Sequence, residues 1–145
     1  MELHRQQGLN GRMGRVLLAD DEEHVRKPIR LSLVKAGYEV VEVRDGEEAI
    51  RTIRAADNSL MVDTIICDIR MPNIDGTEAI AYFRSQFPTV PVVVLTGYPD
   101  VDLAVSLMKH GVTDFLVKPV SWEELLTVVQ RSVDNHVILK DQFVA

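Results

Sequence analysis

Cysteine is nearly absent: Cys67 stands alone in 145 residues. It cannot close an internal disulfide, so no cross-linked framework holds the fold, which fits a reducing compartment. No apolar stretch approaches the ~20 residues that span a bilayer as a helix. The opening MELHRQQGLNGRMG lacks the apolar core of a secretory signal, so the expected location is the cytoplasm, with no membrane partner. Positive charge is also in deficit, with 16 Lys and Arg against 22 Asp and Glu and a net charge of −6. That balance argues against direct nucleic-acid binding, because a phosphate backbone calls for a basic face. Histidine and cysteine nowhere fall at zinc-ligand spacing. Gly8, Gly11 and Gly14 recur every three residues, but a phosphate-binding loop follows a strand, whereas these precede the first one. Residues 1–13 are therefore expected to form a flexible tail.

What is present suits one globular domain, with 46% hydrophobic and 26% charged residues. Five apolar runs read as strands: RVLLA (15–19), EVVEV (39–43), VDTIIC (62–67), PVVVL (91–95) and TDFLV (113–117). Several are apolar on both faces, as in strands covered on both sides. Helical periodicity fills the gaps over 22–36, 46–56, 75–87 and 100–110, and again from Ser121 to about 140, where Ser121 and Glu124 form a capping box. Pro28 inside the first helix predicts a slight kink. Strict strand–helix alternation implies an α/β fold, a doubly wound parallel sheet with right-handed crossovers; five strands fit the flavodoxin-like order 2-1-3-4-5.

In such sheets, sites form beyond the carboxyl ends of the strands, near the point where strand order reverses. Strand 1 runs out into Asp20 and Asp21, strand 3 into Asp68, strand 4 into Thr96 and strand 5 into Lys118. Three carboxylates converging on one crevice repel one another, and a divalent cation relieves this. An oxygen-only donor set selects Mg2+, Mn2+ or Ca2+ over zinc, and Mg2+ leaves room for phosphate oxygens. With the Lys118 ammonium and the Thr96 hydroxyl, the setting suits phosphoryl transfer, in which a carboxylate can itself be the nucleophile.

The segments LLADDEE, IICDIRMPNIDG, VVVLTGY and DFLVKPV, in this order, resemble the receiver domain of bacterial two-component response regulators over roughly residues 15–130. The resemblance implies that Asp68 is the phosphoacceptor. It implies that Asp20, Asp21, Asp68 and the backbone carbonyl of Arg70 hold Mg2+, with Mn2+ as an alternative occupant. Thr96 would bond the phosphoryl group and Lys118 would neutralise it. Phe115 falls at the family's switch aromatic, often tyrosine; without a hydroxyl, it would act by ring packing alone. Arg70 and Tyr98, each two residues beyond a site residue, would tune phosphoryl lifetime. The implied donor is a sensor histidine kinase or a phosphotransfer protein, and the implied output is a change in the face formed by helix 4, strand 5 and helix 5. Such a domain catalyses only its own phosphorylation and dephosphorylation and is not otherwise an enzyme.

Two rival functions fit the residues less well. A receiver-like module working by contact alone is disfavoured by the complete acidic cluster. An aspartyl-phosphate phosphatase would place a second carboxylate two residues after the nucleophile, where this chain has Arg70. Asp20 and Asp21 could instead cap the first helix, a reading that their company with the other three motifs disfavours. Cys67 is expected as a buried apolar residue, His24 on a solvated helix face, and His4, His110 and His136 at the surface. The domain is expected over 14–131, with 132–145 as an extension of the last helix or a linker toward an output domain. That helix, at ~30 Å, is longer than the sheet needs. Val133, Val137 and Ile138 would then project beyond the domain, either docking back or pairing with a second copy. A homodimer through this extension or through the helix 4–strand 5–helix 5 face is the corresponding partner expectation.

Overall fold

Runs of Val, Ile and Leu build strands β1 (Gly14–Ala19), β2 (Tyr38–Val43), β3 (Thr64–Asp68), β4 (Val92–Thr96) and β5 (Asp114–Val117). The computed structural model describes residues 13–55, 62–71 and 76–143, with 137–143 as backbone. Residues 1–12 of the tail expected over 1–13, with His4, and the side chains of Val137 and Ile138 lie outside the described residues, whereas Met13 is tied to the fold, its N–H donating to the Gly37 carbonyl at 3.0 Å. All strand pairings are parallel, in the order β2-β1-β3-β4-β5. β3 starts later than expected and carries Asp68 as its last residue; β4 likewise ends on Thr96.

Helices α1 (Glu23–Lys35), α2 (Gly46–Arg54), α3 (Gly76–Gln86), α4 (Val101–Lys109) and α5 (Trp122–Phe143) connect and follow the strands. Asp45 and Asp100 cap α2 and α4 by accepting from Glu48 N and Leu103 N, and Ser121 accepts from Glu124 N at 3.2 Å, as the capping box predicts. α1 runs unbroken through the exposed Pro28. Gly37, with φ +104°, reverses the chain between α1 and β2, a conformation that only glycine adopts readily.

The pleat sorts the core into two layers. Leu17, Ala19, Ile65, Cys67, Val92 and Val94 face α2, α3 and α4, where Ile53, Phe83 and Leu107 pack against them. Val16, Leu18, Ile66, Val93, Leu95 and Leu116 face α1 and α5, against Ile29, Leu33, Leu125 and Val129. Val133 belongs to this second layer and is buried, so it docks on the sheet instead of projecting from it.

His136 also departs from expectation. It is 4% exposed, and its Nδ1 lies 3.0 Å from Asp63 Oδ1 at the start of β3. One turn earlier, Ser132 and Thr64 share a buried 2.7 Å hydrogen bond. His136 continues the buried face of α5 at helical spacing from Val129, Ser132 and Val133, and its partner is remote in sequence. Replacing His136 with alanine is expected to destabilise the fold by about 2 kcal/mol in urea unfolding, against about 0.5 kcal/mol or less for exposed His110→Ala. Equal small effects would refute this anchoring role.

Candidate functional site

Register brings the candidate residues together. Ala19 pairs with Cys67, Asp68 with Leu95 and Thr96 with Val117, so Asp20, Asp68, Thr96 and Lys118 all stand at the carboxyl edge of adjoining strands. Parity then divides them. Asp68 follows the parity of Ile66, and Asp20 and Lys118 continue that of Leu18 and Leu116, toward α1 and α5. Thr96 has the parity of Val92 and Val94, and Phe115 packs in that opposite layer.

Asp20 is fully buried, Asp68 is 4% exposed, and Asp21 is open to solvent. One oxygen of each lies within 4.8 Å of the others. Lys118 Nζ sits 2.8 Å from Asp20 Oδ2 and 3.1 Å from Asp68 Oδ2. Burial, and then the Asp20 charge, push the Asp68 carboxyl up to about 6, against the opposing pull of Lys118 and the Arg70 N–H. Burial works to lower the Lys118 pKa, but Asp20 and Asp68 outweigh it and hold the ammonium above its ordinary value.

Asp20 Oδ1 accepts from Glu22 N at 2.8 Å, whereas the buried Oδ2 has the Lys118 ion contact but no hydrogen bond of good geometry. A buried, underbonded carboxylate oxygen among oxygen-only donors, with one ammonium against three carboxylates, fits a hard dication. Neither Asp20 nor Asp21 caps α1, whose N-cap is Glu22 without a side-chain bond.

The acidic cluster opens into a cavity of about 980 Å3 between α1 and the β5–α5 connection, lined by Asp21, Asp68, Arg70, Tyr98, Lys118 and Trp122 among others. The Arg70 guanidinium stacks over the Tyr98 ring at 4.3 Å, so these two long side chains meet at the rim. Arg70 N donates to Asp68 Oδ1 at 3.3 Å. Thr96, 5% exposed, accepts from Tyr98 N at 3.0 Å and does not line the cavity; nor does Phe115. His24 is exposed, 3.8 Å from Glu22 Oε2, and Cys67 is fully buried, both as expected.

Two residues that support the site escaped sequence reasoning. Gly76 lies so close to the β3 exit that an added Cβ would stand 2.0 Å from the Asp68 carbonyl oxygen. Arg26 is buried, and its Nη1 donates to the Asp20 carbonyl at 2.7 Å. The legible signal for Arg26 is a charge at helical spacing within the stripe that continues to Ile29 and Leu33.

The raised Asp68 pKa has a definite linkage sign. Between the ordinary value of 3.8 and about 6, the folded carboxyl keeps a proton that the unfolded chain has released. Asp68 therefore costs stability increasingly as pH rises through this window. In chelator, Asp68→Asn is expected to leave stability nearly unchanged near pH 4 and to raise it by roughly 1–2 kcal/mol at pH 7.5. Chemical unfolding at both pH values checks this, and a pH-independent difference would contradict it.

Comparison with known proteins gives this geometry a context. The family model for the response regulator receiver domain matches residues 16–130. Regulatory protein AtoC of Escherichia coli (strain K12) is 32% identical over 129 residues, covering 89% of this chain and 27% of that protein. C4-dicarboxylate transport transcriptional regulatory protein DctD of Pseudomonas aeruginosa is 38% identical over 119 residues, covering 82% of this chain and 25% of that one. The chain thus spans about a quarter of the length of these curated relatives. A response regulator receiver domain protein from Clostridium thermocellum superimposes with a TM-score of 0.80 at 28% identity, covering 87% of this chain and 98% of that structure. Among the described residues no helix is long and apolar enough to cross a membrane. Five parallel strands in the expected order and a family match across most of the sequence lead to one conclusion: this chain belongs to the receiver-domain family of bacterial two-component response regulators.

Proposed function

We propose that this receiver accepts a phosphoryl group on Asp68 from the phosphohistidine of a sensor histidine kinase or a phosphotransfer protein. The observation that carries the reading is the Lys118 ammonium bridging Asp20 and Asp68 at the mouth of an open cavity. An Asp68 oxygen attacks phosphorus in line, the oxygen–phosphorus bond forms as the nitrogen–phosphorus bond breaks, and the released imidazole takes a proton. Lys118 offsets charge gathering on the phosphoryl oxygens. Asp20, Asp21, Asp68 and the Arg70 carbonyl would hold Mg2+, or Mn2+ in its place, which supplies further neutralisation of those oxygens. The receiver unit is assigned to 14–131, with 132–145 continuing the last helix.

In the relay step, the Thr96 hydroxyl donates to a phosphoryl oxygen and Phe115 repacks inward on the same side of the sheet. The α4–β5–α5 face then shifts toward a state that contacts the phosphoryl group better. Val101, Val105 and Met108 are exposed on α4, which suits this face to a second copy or an output partner. The extended α5 is the alternative dimer contact. The domain works in the cytoplasm and catalyses only its own phosphorylation and dephosphorylation. The Arg70–Tyr98 stack screens the acyl phosphate from water.

Incubation with a small-molecule phosphodonor and Mg2+ is expected to add one phosphoryl group by intact mass. Asp68→Asn or a chelator should abolish the label, and labelling that survives either change would overturn the mechanism. The Arg70→Ala/Tyr98→Ala double variant should lose the label several-fold faster than the parent; an unchanged half-life would remove the screening role.

A further inference from the structure

Arg26 lies in the layer between α1 and the sheet, at the same helical spacing as Ile29 and Leu33, and is only 6% exposed. Stability alone is a weak reason for a guanidinium at that place. Well-packed apolar residues in place of buried ion pairs are often neutral or stabilising, and a leucine or methionine would fill the position. Its contacts point elsewhere. Helical side chains lean toward the helix N-terminus, so Arg26 reaches back over the β1–α1 turn. Nη1 donates to the Asp20 carbonyl at 2.7 Å, and Nε donates to Glu42 Oε1 at 3.1 Å. Glu42 pairs in register with Leu18, which puts it on the α1-covered side of β2, and its other oxygen accepts from Arg30 at 2.7 Å. Burial works to raise the Glu42 pKa, but Arg30 and Arg26 outweigh it and hold the carboxyl below its ordinary value.

The Asp20 N–H, for its part, donates to the Val43 carbonyl at 3.2 Å. Both backbone polar groups of Asp20 are thus tied to β2, one directly and one through Arg26 and Glu42. The carbonyl that Arg26 grips belongs to the peptide joining Asp20 to Asp21. We infer that Arg26, braced by Glu42, is a positioning residue for the dication: by fixing that peptide it sets the directions of both carboxylates. This rests on the reading of Asp20 and Asp21 as dication ligands. It adds a control point on affinity that lies away from the acidic cluster itself.

Isothermal titration of the full chain with Mg2+ tests the inference, with folding followed by circular dichroism. Arg26→Met keeps the bulk and removes the donors; it should weaken Mg2+ binding about tenfold, the usual loss when a group orienting a ligand is removed. Arg26→Lys keeps the charge but loses the fork and should fall between Arg26→Met and the parent, and Glu42→Gln should weaken binding several-fold. With a small phosphodonor, the half-saturating Mg2+ concentration should rise in parallel, while the rate at saturating Mg2+ stays within about two-fold of the parent. A merely structural role would lower thermal stability without moving Mg2+ half-saturation. Unchanged affinity in Arg26→Met and Arg26→Lys would overturn the inference. If Arg26→Met does not fold, unchanged affinity in both Arg26→Lys and Glu42→Gln does so. A parent chain that binds no Mg2+ would instead overturn the dication reading itself, and that titration is read first.

Discussion

The Lys118 ammonium between Asp20 and Asp68 is the contact on which the site depends. It joins the carboxyl ends of β1, β3 and β5, although β4 lies between β3 and β5. At ~4.8 Å per strand, about 10 Å separates β5 from β3, a gap that the Lys118 stem spans over the end of β4 together with the Asp68 side chain that it meets. Two features allow it. The stem is long and flexible, and the residue just past β4 is Gly97, where even an added Cβ would sit 3.7 Å from Lys118 Cδ. Without the ammonium, two buried carboxylates would face each other in low dielectric, and burial already pushes Asp68 upward. The cation that makes the acidic cluster tolerable is the same group that would meet a phosphoryl anion in the proposed reaction.

Strand parity gives the molecule a division of labour. Asp20, Asp68 and Lys118 face the α1 and α5 layer, with Asp68 and Lys118 lining the cavity, while Thr96 and Phe115 face the α2–α4 layer. The proposed chemistry and the proposed relay therefore occupy opposite sides of one sheet, joined at its carboxyl edge. Thr96 is the joint: its oxygen accepts from Tyr98 N, and Tyr98 in turn stacks on Arg70 at the cavity rim. A phosphoryl group that draws the Thr96 hydroxyl would act on a residue already tied to the loop before α4.

The fold was legible because parallel strands covered on both faces must be apolar throughout, which leaves runs such as VVVL and TIIC unmistakable. The site was legible for the complementary reason. A polar residue ending such a run has to stand at a sheet edge, and four runs end that way. Arg26 and His136 were not legible. Each sits at helical spacing on a buried face, where a charged or titratable residue reads as solvated unless its partner is known. The partners are Glu42, on another element, and Asp63, 73 residues away. Gly76 was not legible either, because a close approach to the Asp68 backbone leaves no trace in local pattern.

Hydrophobic period and the chemistry of strand ends, which are local properties of the chain, determined the strand–helix alternation, the sheet order and the candidate residues. Tertiary structure alone decided which oxygen of Asp20 faces the ammonium, that Arg70 stacks on Tyr98, that Val133 and His136 fold back onto the sheet, and that Arg26 grips the Asp20 peptide. These are relations between side chains on different elements. They depend on register, parity and packing depth, quantities that exist only once the strands have been laid side by side.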